Sequence, residues 1–126
     1  MNVVDSSGWL EYFTDGLNAT LFRSAIRDEQ HLIIPTICLY EVFKIILSRA
    51  GESEALNAVG LMSSGKIVDL DREIALAAGQ ISNQWKLPMA DSIIYATAQA
   101  TDATLWTQDE HFKELQGIKF IGKRKV

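Results

Sequence analysis

Four acids draw attention by type and position: Asp5, Glu41, Asp91 and Asp109. Carboxylates crowded into one cleft repel one another, and without compensation some of them take up protons. A divalent cation removes that penalty. Ligation by oxygen alone, with no cluster of Cys or His at hand, selects magnesium or manganese over zinc. His31 and His111 are too few and too separate for a zinc site, and they read as ordinary surface or half-buried histidines. The chemistry open to such a group of acids is metal-assisted, with a bound cation acidifying water near neutral pH.

Each acid also has a plainer explanation. Asp5 could cap a helix that begins at Ser6, and Asp109 could cap a short helix carrying Phe112. Asp91 could favour the positive end of its helix. Glu41 lies in a helix that is apolar nearly all round, on a narrow polar stripe with Lys44 and Ser48. There it could form an ion pair with Lys44 that contributes roughly a few tenths of a kcal/mol. Taken singly, these alternatives stay open. Together, the four acids support one another better than four unrelated caps would.

Bringing them together falls to elements that periodicity predicts. Residues 2–5 read as a buried strand, with Ser6 and Ser7 as caps opening a helix through Phe13. A helix over 18–29 leads to a strand over 31–34 that Pro35 stops. Thr36 caps a long helix to about Ala50, which Gly51 ends. Residues 52–63 form another helix, 66–70 a third strand, 71–86 a helix, and Pro88 starts a helix to about Thr101. Residues 103–107 make a fourth strand, a short helix follows from Asp109, and 118–121 make a fifth strand. Strands alternating with helices predict an α/β fold, a parallel sheet covered on both faces. In doubly wound sheets, ligands bind beyond the carboxyl ends of the strands, where strand order reverses. A flavodoxin-like order is expected to set strands one and four side by side there. Asp5 and Asp109 would then face one crevice, within reach of Asp91 and Glu41 on flanking helices.

The 126 residues fit one domain spanning 1–126, and a hydrophobic fraction of 48% supplies a real core. The single Cys38 excludes an intrachain disulfide and suits a reducing compartment. The start, Met1-Asn2-Val3-Val4-Asp5, has no basic or long apolar run, so neither a signal peptide nor a membrane span is expected, and a cytoplasmic location follows. A net charge of −4 argues against a polyanionic partner unless several acids share a cation, which inverts the local potential. The one strong basic cluster, Lys119, Lys123, Arg124 and Lys125, reads as a solvated tail.

Four stretches resemble a known family: Val3-Val4-Asp5-Ser6-Ser7, Pro35-Thr36 with Glu41 five residues on, 91–98 (DSIIYATA), and 105–112 (LWTQDEHF). Their order and spacing are similar to those of PIN-domain proteins, above all the VapC-type toxins of toxin–antitoxin pairs, over essentially the whole chain. The third and fourth stretches carry most of the specificity. Before strand four the chain reads Thr101-Asp102-Ala103, where the family often has a glycine. The resemblance implies a three-layer α/β/α domain with a central parallel sheet of four to five strands. It also implies a site for one or two magnesium or manganese ions, and endoribonuclease activity by metal-activated water. Asp5, Glu41, Asp91 and Asp109 match the family's four acids, with Asp5 and Asp91 as principal metal ligands and Glu41 and Asp109 completing the set. Thr107 and Ser6 match polar residues that orient carboxylates or waters. The likeness further implies an RNA substrate, a cognate antitoxin and a homodimer. Two apolar helix stretches, around Trp9-Leu10-Tyr12-Phe13 and Leu39-Tyr40-Phe43-Ile46-Leu47, fit that last expectation. The rival reading from another class is a catalytically silent module that keeps the fold and binds RNA or protein. Receiver-like and dehalogenase-like phosphoryl chemistry want paired acids or Asp-x-Asp after strand one, and Asp5-Ser6-Ser7 supplies neither.

Overall fold

In the computed structural model, which describes residues 1–124, five short strands form one parallel sheet in the order β3-β2-β1-β4-β5. They are β1 (Asn2–Val4), β2 (Leu32–Pro35), β3 (Lys66–Val68), β4 (Thr104–Thr107) and β5 (Ile118–Phe120). The expected neighbours, strands one and four, do lie side by side, with Val3 opposite Leu105 and Val4 opposite Trp106. The order as a whole is not flavodoxin-like. It reverses at β1, so that β2 and β3 lie on one side and β4 and β5 on the other. Lys125 of the basic cluster lies outside the described residues.

Six helices cover the sheet: α1 (Ser6–Phe13), α2 (Ala19–Arg27), α3 (Thr36–Ala50), α4 (Glu52–Met62), α5 (Arg72–Trp85) and α6 (Met89–Ala100). Short 3-10 turns occupy Glu29–His31 and Glu110–Phe112. The helices pack in two groups. In the first, α1 touches α2 and α3, and α3 touches α4; in the second, α5 touches α6. Right-handed crossovers put the first group on one face of the sheet and the second on the other, which makes three layers. Strands covered on both faces must be apolar throughout, and Val3, Val4, Ile33, Ile34 and Leu105 are all buried. Among the described residues, no helix is long and apolar enough to cross a membrane.

Local chemistry corrects three expectations. Ser6 and Ser7 do not cap α1; Asp5 does, its carboxylate accepting the Gly8 N–H at 2.9 Å. Thr36 is the first residue of α3 and not its cap, a position held by Pro35 with no side-chain bond. The long helix α3 is less buried than its apolar sequence suggests. Cys38 and Val42 are buried, whereas Tyr40 and Leu47 are exposed. One glycine matters for the site. A Cβ at Gly8 would meet Phe22 and Val4 at 2.7 Å, so only glycine lets the first turn of α1 lie this close to β1 and α2.

Candidate active site

Every candidate residue stands at the carboxyl ends of β1 and β4 or on a helix that borders them. Asp5 follows β1 directly, and its N–H continues the ladder by donating to the Trp106 carbonyl at 3.1 Å. Ser6 opens α1, and Thr107 is the last residue of β4. Asp109 caps the Glu110–Phe112 turn, accepting the His111 N–H at 2.9 Å. Asp91 lies in the first turn of α6. Glu41 lies in α3, at the edge that faces Ser6.

Hydrogen bonds join these side chains into two groups, one running from Asp5 to Asp91 and one pairing Ser6 with Glu41. Asp5 is 2% exposed, and each of its oxygens is held. Oδ1 accepts from the Ser7 hydroxyl at 2.8 Å as well as from Gly8, and Oδ2 accepts from the Thr107 hydroxyl at 2.6 Å. The Thr107 hydroxyl in turn accepts the Asp109 N–H at 2.9 Å. Nδ1 of His111 lies 2.9 Å from Oδ2 of Asp91 and 3.2 Å from Oδ1 of Asp109. On the other side, the Ser6 hydroxyl donates to Oε1 of Glu41 at 2.6 Å. Glu41 therefore pairs with Ser6, while Lys44 sits over the Tyr40 ring at 5.8 Å. Asp91, Asp109 and His111 each offer a ligand atom within 4.8 Å of the other two. Asp5 and Glu41 stand outside that triple, and Thr107 and Ser6 link them to their neighbours.

The electrostatics carry the mark of crowded acids. Burial pushes the Asp5 carboxyl up to about 6 against the lowering effect of its hydrogen bonds, and the charge of Asp109 raises it further. Burial also raises Asp91; the His111 hydrogen bond opposes this, and the charges of Asp109 and Glu41 add to it. The bond to Asp91, with help from the charge of Asp109, raises His111. The buried Cys38 thiol is pushed up mainly by burial, with contributions from the charges of Asp5, Glu41 and Asp91. Burial favours its neutral form, and the thiol donates to the Val4 carbonyl at 3.9 Å. Among the described residues, no lysine or arginine forms a salt bridge to the four acids. A set of carboxylates with an imidazole as its one cationic partner fits a divalent ion in its donor chemistry.

His111 was passed over at the sequence level as an ordinary histidine, yet it stands at the centre of the acidic triple. The sequence sets it two residues after Asp109 and carries no sign that Asp91 lies beside it. His31 does behave as a surface residue, paired with Asp28 at 2.9 Å. Asp5 and Asp109 show that capping is compatible with a place in the candidate site, since each caps its helix or turn while standing in the same hydrogen-bonded group.

Comparison with known proteins agrees with this fold. A family model described as PIN domain matches residues 3–118. The chain belongs to the PIN domain family. A search of curated proteins gives no significant match. Solved structures share the PIN fold over nearly the whole chain. A toxin–antitoxin complex from Klebsiella pneumoniae is 21% identical, with a TM-score of 0.82, covering 98% of this chain and 100% of that one. The sarcin–ricin loop cleaving toxin VapC20 of Mycobacterium tuberculosis is 14% identical, with a TM-score of 0.78, covering 99% and 100%. DNA-bound VapBC from Salmonella typhimurium is 17% identical, with a TM-score of 0.75, covering 97% and 98%. This PIN domain is thus similar in fold to toxins that work in pairs with antitoxins.

Proposed function

We propose that this PIN domain is a metal-dependent endoribonuclease and acts as the toxin of a toxin–antitoxin pair. The observation that carries the reading is the gathering of Asp5, Asp109 and Asp91 through Thr107 and His111, with Glu41 close enough for its charge to raise Asp91 and no lysine or arginine bridged to the four acids among the described residues. The similarity in fold to a sarcin–ricin loop cleaving toxin and to toxin–antitoxin complexes supports RNA as the substrate and an antitoxin as the partner. A homodimer and a cytoplasmic setting belong to the same reading.

A magnesium or manganese ion, when bound, supplies the positive charge that acidifies water near neutral pH and offsets charge on the phosphate. Asp91 and Asp109 would hold such an ion, with Asp5 as a further carboxylate ligand. Oδ1 of Asp5 already has two donors, so its remaining accepting capacity lies on Oδ2. Thr107 fixes the direction of that oxygen, and Ser6 fixes Glu41. Burial keeps bulk water from Asp5 and so strengthens its attraction for a cation.

Purified protein incubated with structured RNA tests this. Cleavage with added magnesium or manganese, lost in excess chelator and reduced more than about a hundredfold by Asp5→Asn, is the expected result. Binding of RNA without cleavage under any metal would favour the silent-module reading.

A further inference from the structure

The proposed site contains one side chain that the four acids do not account for. His111 projects from the Glu110–Phe112 turn, and its Nδ1 lies 2.9 Å from Asp91 Oδ2 and 3.2 Å from Asp109 Oδ1. Two ligand atoms at adjacent corners of an octahedron around an ion at about 2.1 Å stand about 3.0 Å apart. The separations from Nδ1 are those of neighbours in such a shell. As the ring stands, Nδ1 is hydrogen-bonded to Asp91. With its proton on Nε2 instead, the same Nδ1 offers a lone pair on the side that faces the two acids. The ring is 56% exposed, so no core packing has to be broken for it to adjust.

The geometry points to His111 as a nitrogen ligand of the cation, beside Asp91 and Asp109, that gives the site a preference for manganese over magnesium. This rests on the metal-dependent reading above and deepens it. Magnesium takes oxygen ligands and gives up its waters reluctantly, so an imidazole adds little to its binding. First-row transition ions accept imidazole nitrogen readily, and manganese is the one that also suits carboxylate and water ligands. The two carboxylates supply the oxygen that manganese shares with magnesium, and His111 supplies the difference.

The test titrates manganese alone and magnesium alone into the full chain without RNA, by calorimetry, and records pulsed electron paramagnetic resonance of bound manganese on 15N-histidine-labelled protein. The expected result is tighter binding of manganese than of magnesium, with a nitrogen coupling to the manganese. His111→Ala should abolish the coupling and weaken manganese binding roughly tenfold while changing magnesium binding by less than about twofold. His31→Ala should leave all three readouts intact. A wild-type spectrum without nitrogen coupling, or equal weakening of both ions by His111→Ala, would overturn the assignment while leaving the nuclease reading standing. Failure to bind either ion would overturn both. Because no RNA is present, loss of cleavage alone does not bear on the result.

Discussion

Thr107 donates its hydroxyl to Oδ2 of Asp5 at 2.6 Å while accepting the N–H of Asp109 at 2.9 Å. One fully buried oxygen on β4 thereby connects the acid that ends β1 to the acid that follows β4. The bond crosses the seam between the two adjacent strands whose ends carry the site. It couples strand pairing to carboxylate orientation, and that coupling can be broken one atom at a time.

Thr107→Val keeps the shape and removes the hydroxyl. It leaves the Asp109 N–H without its partner and Asp5 without one of its three donors, at a cost of about 1–3 kcal/mol. Urea unfolding should show that loss, and RNA cleavage should fall more than about tenfold. Thr107→Ser should restore most of both. A valine variant that matches the wild type in midpoint and rate would mean the hydroxyl is idle.

The Asp5 carboxyl gives a pH dependence with a definite sign. Its folded value of about 6 lies above the ordinary 3.8, so folding takes up a proton between those two values. The associated stability is complete below about pH 4 and is lost as pH rises through 6. Asp5→Asn should be as stable as the wild type at the acidic end and up to about 3 kcal/mol more stable at pH 8 in chelator. Urea melts of both proteins across pH 4 to 8 measure the difference, and parallel curves would refute the assignment.

Gly8→Ala places a methyl group 2.7 Å from Phe22 and Val4. Relief requires α1 to move away from β1, which carries the Gly8 N–H away from Asp5. A loss of about 1–3 kcal/mol in thermal or urea unfolding is expected, together with weaker cleavage. Retention of full stability would show that the contact yields easily.

Divalent ions should stabilise the fold itself. At a hundredfold excess of manganese over its dissociation constant, the gain is about 2.7 kcal/mol. Asp91→Asn combined with Asp109→Asn should remove nearly all of it. Thermal shift with and without metal measures this, and an undiminished shift in the double variant would place the ion elsewhere.

The sequence made the element order legible because it alternates apolar β-branched runs with long helical repeats, so Val3-Val4 and Ile33-Ile34 read as covered strands without ambiguity. It also placed Asp5 and Asp109 after two strands that do pair. The strand order was misjudged, because adjacency of two strands does not determine the rest of a sheet. The cap of α1 stayed open between Asp5, which does cap it, and Ser6-Ser7, and the cap of α3 fell one residue late at Thr36, since several neighbouring polar side chains can serve and only the backbone angles decide. His111 was missed for a different reason. Its role depends on α6 bringing Asp91 alongside the turn after β4, an approach between residues 20 apart that no local pattern records. The apolar surplus on α3 was legible in the sequence, but which of its residues stay exposed, Tyr40 and Leu47 among them, was not, because an apolar helix face does not say whether its own chain covers it.

The reversal of strand order at β1 has a consequence for when the candidate site can assemble. Asp5 is made long before Asp109, and neither has its partner until β4 slides in beside β1. Such long-range parallel pairing forms late and slowly. A chain halted anywhere short of Asp109 holds part of the acidic group and no more, so on the proposed reading cutting waits for β4 and the turn that follows it.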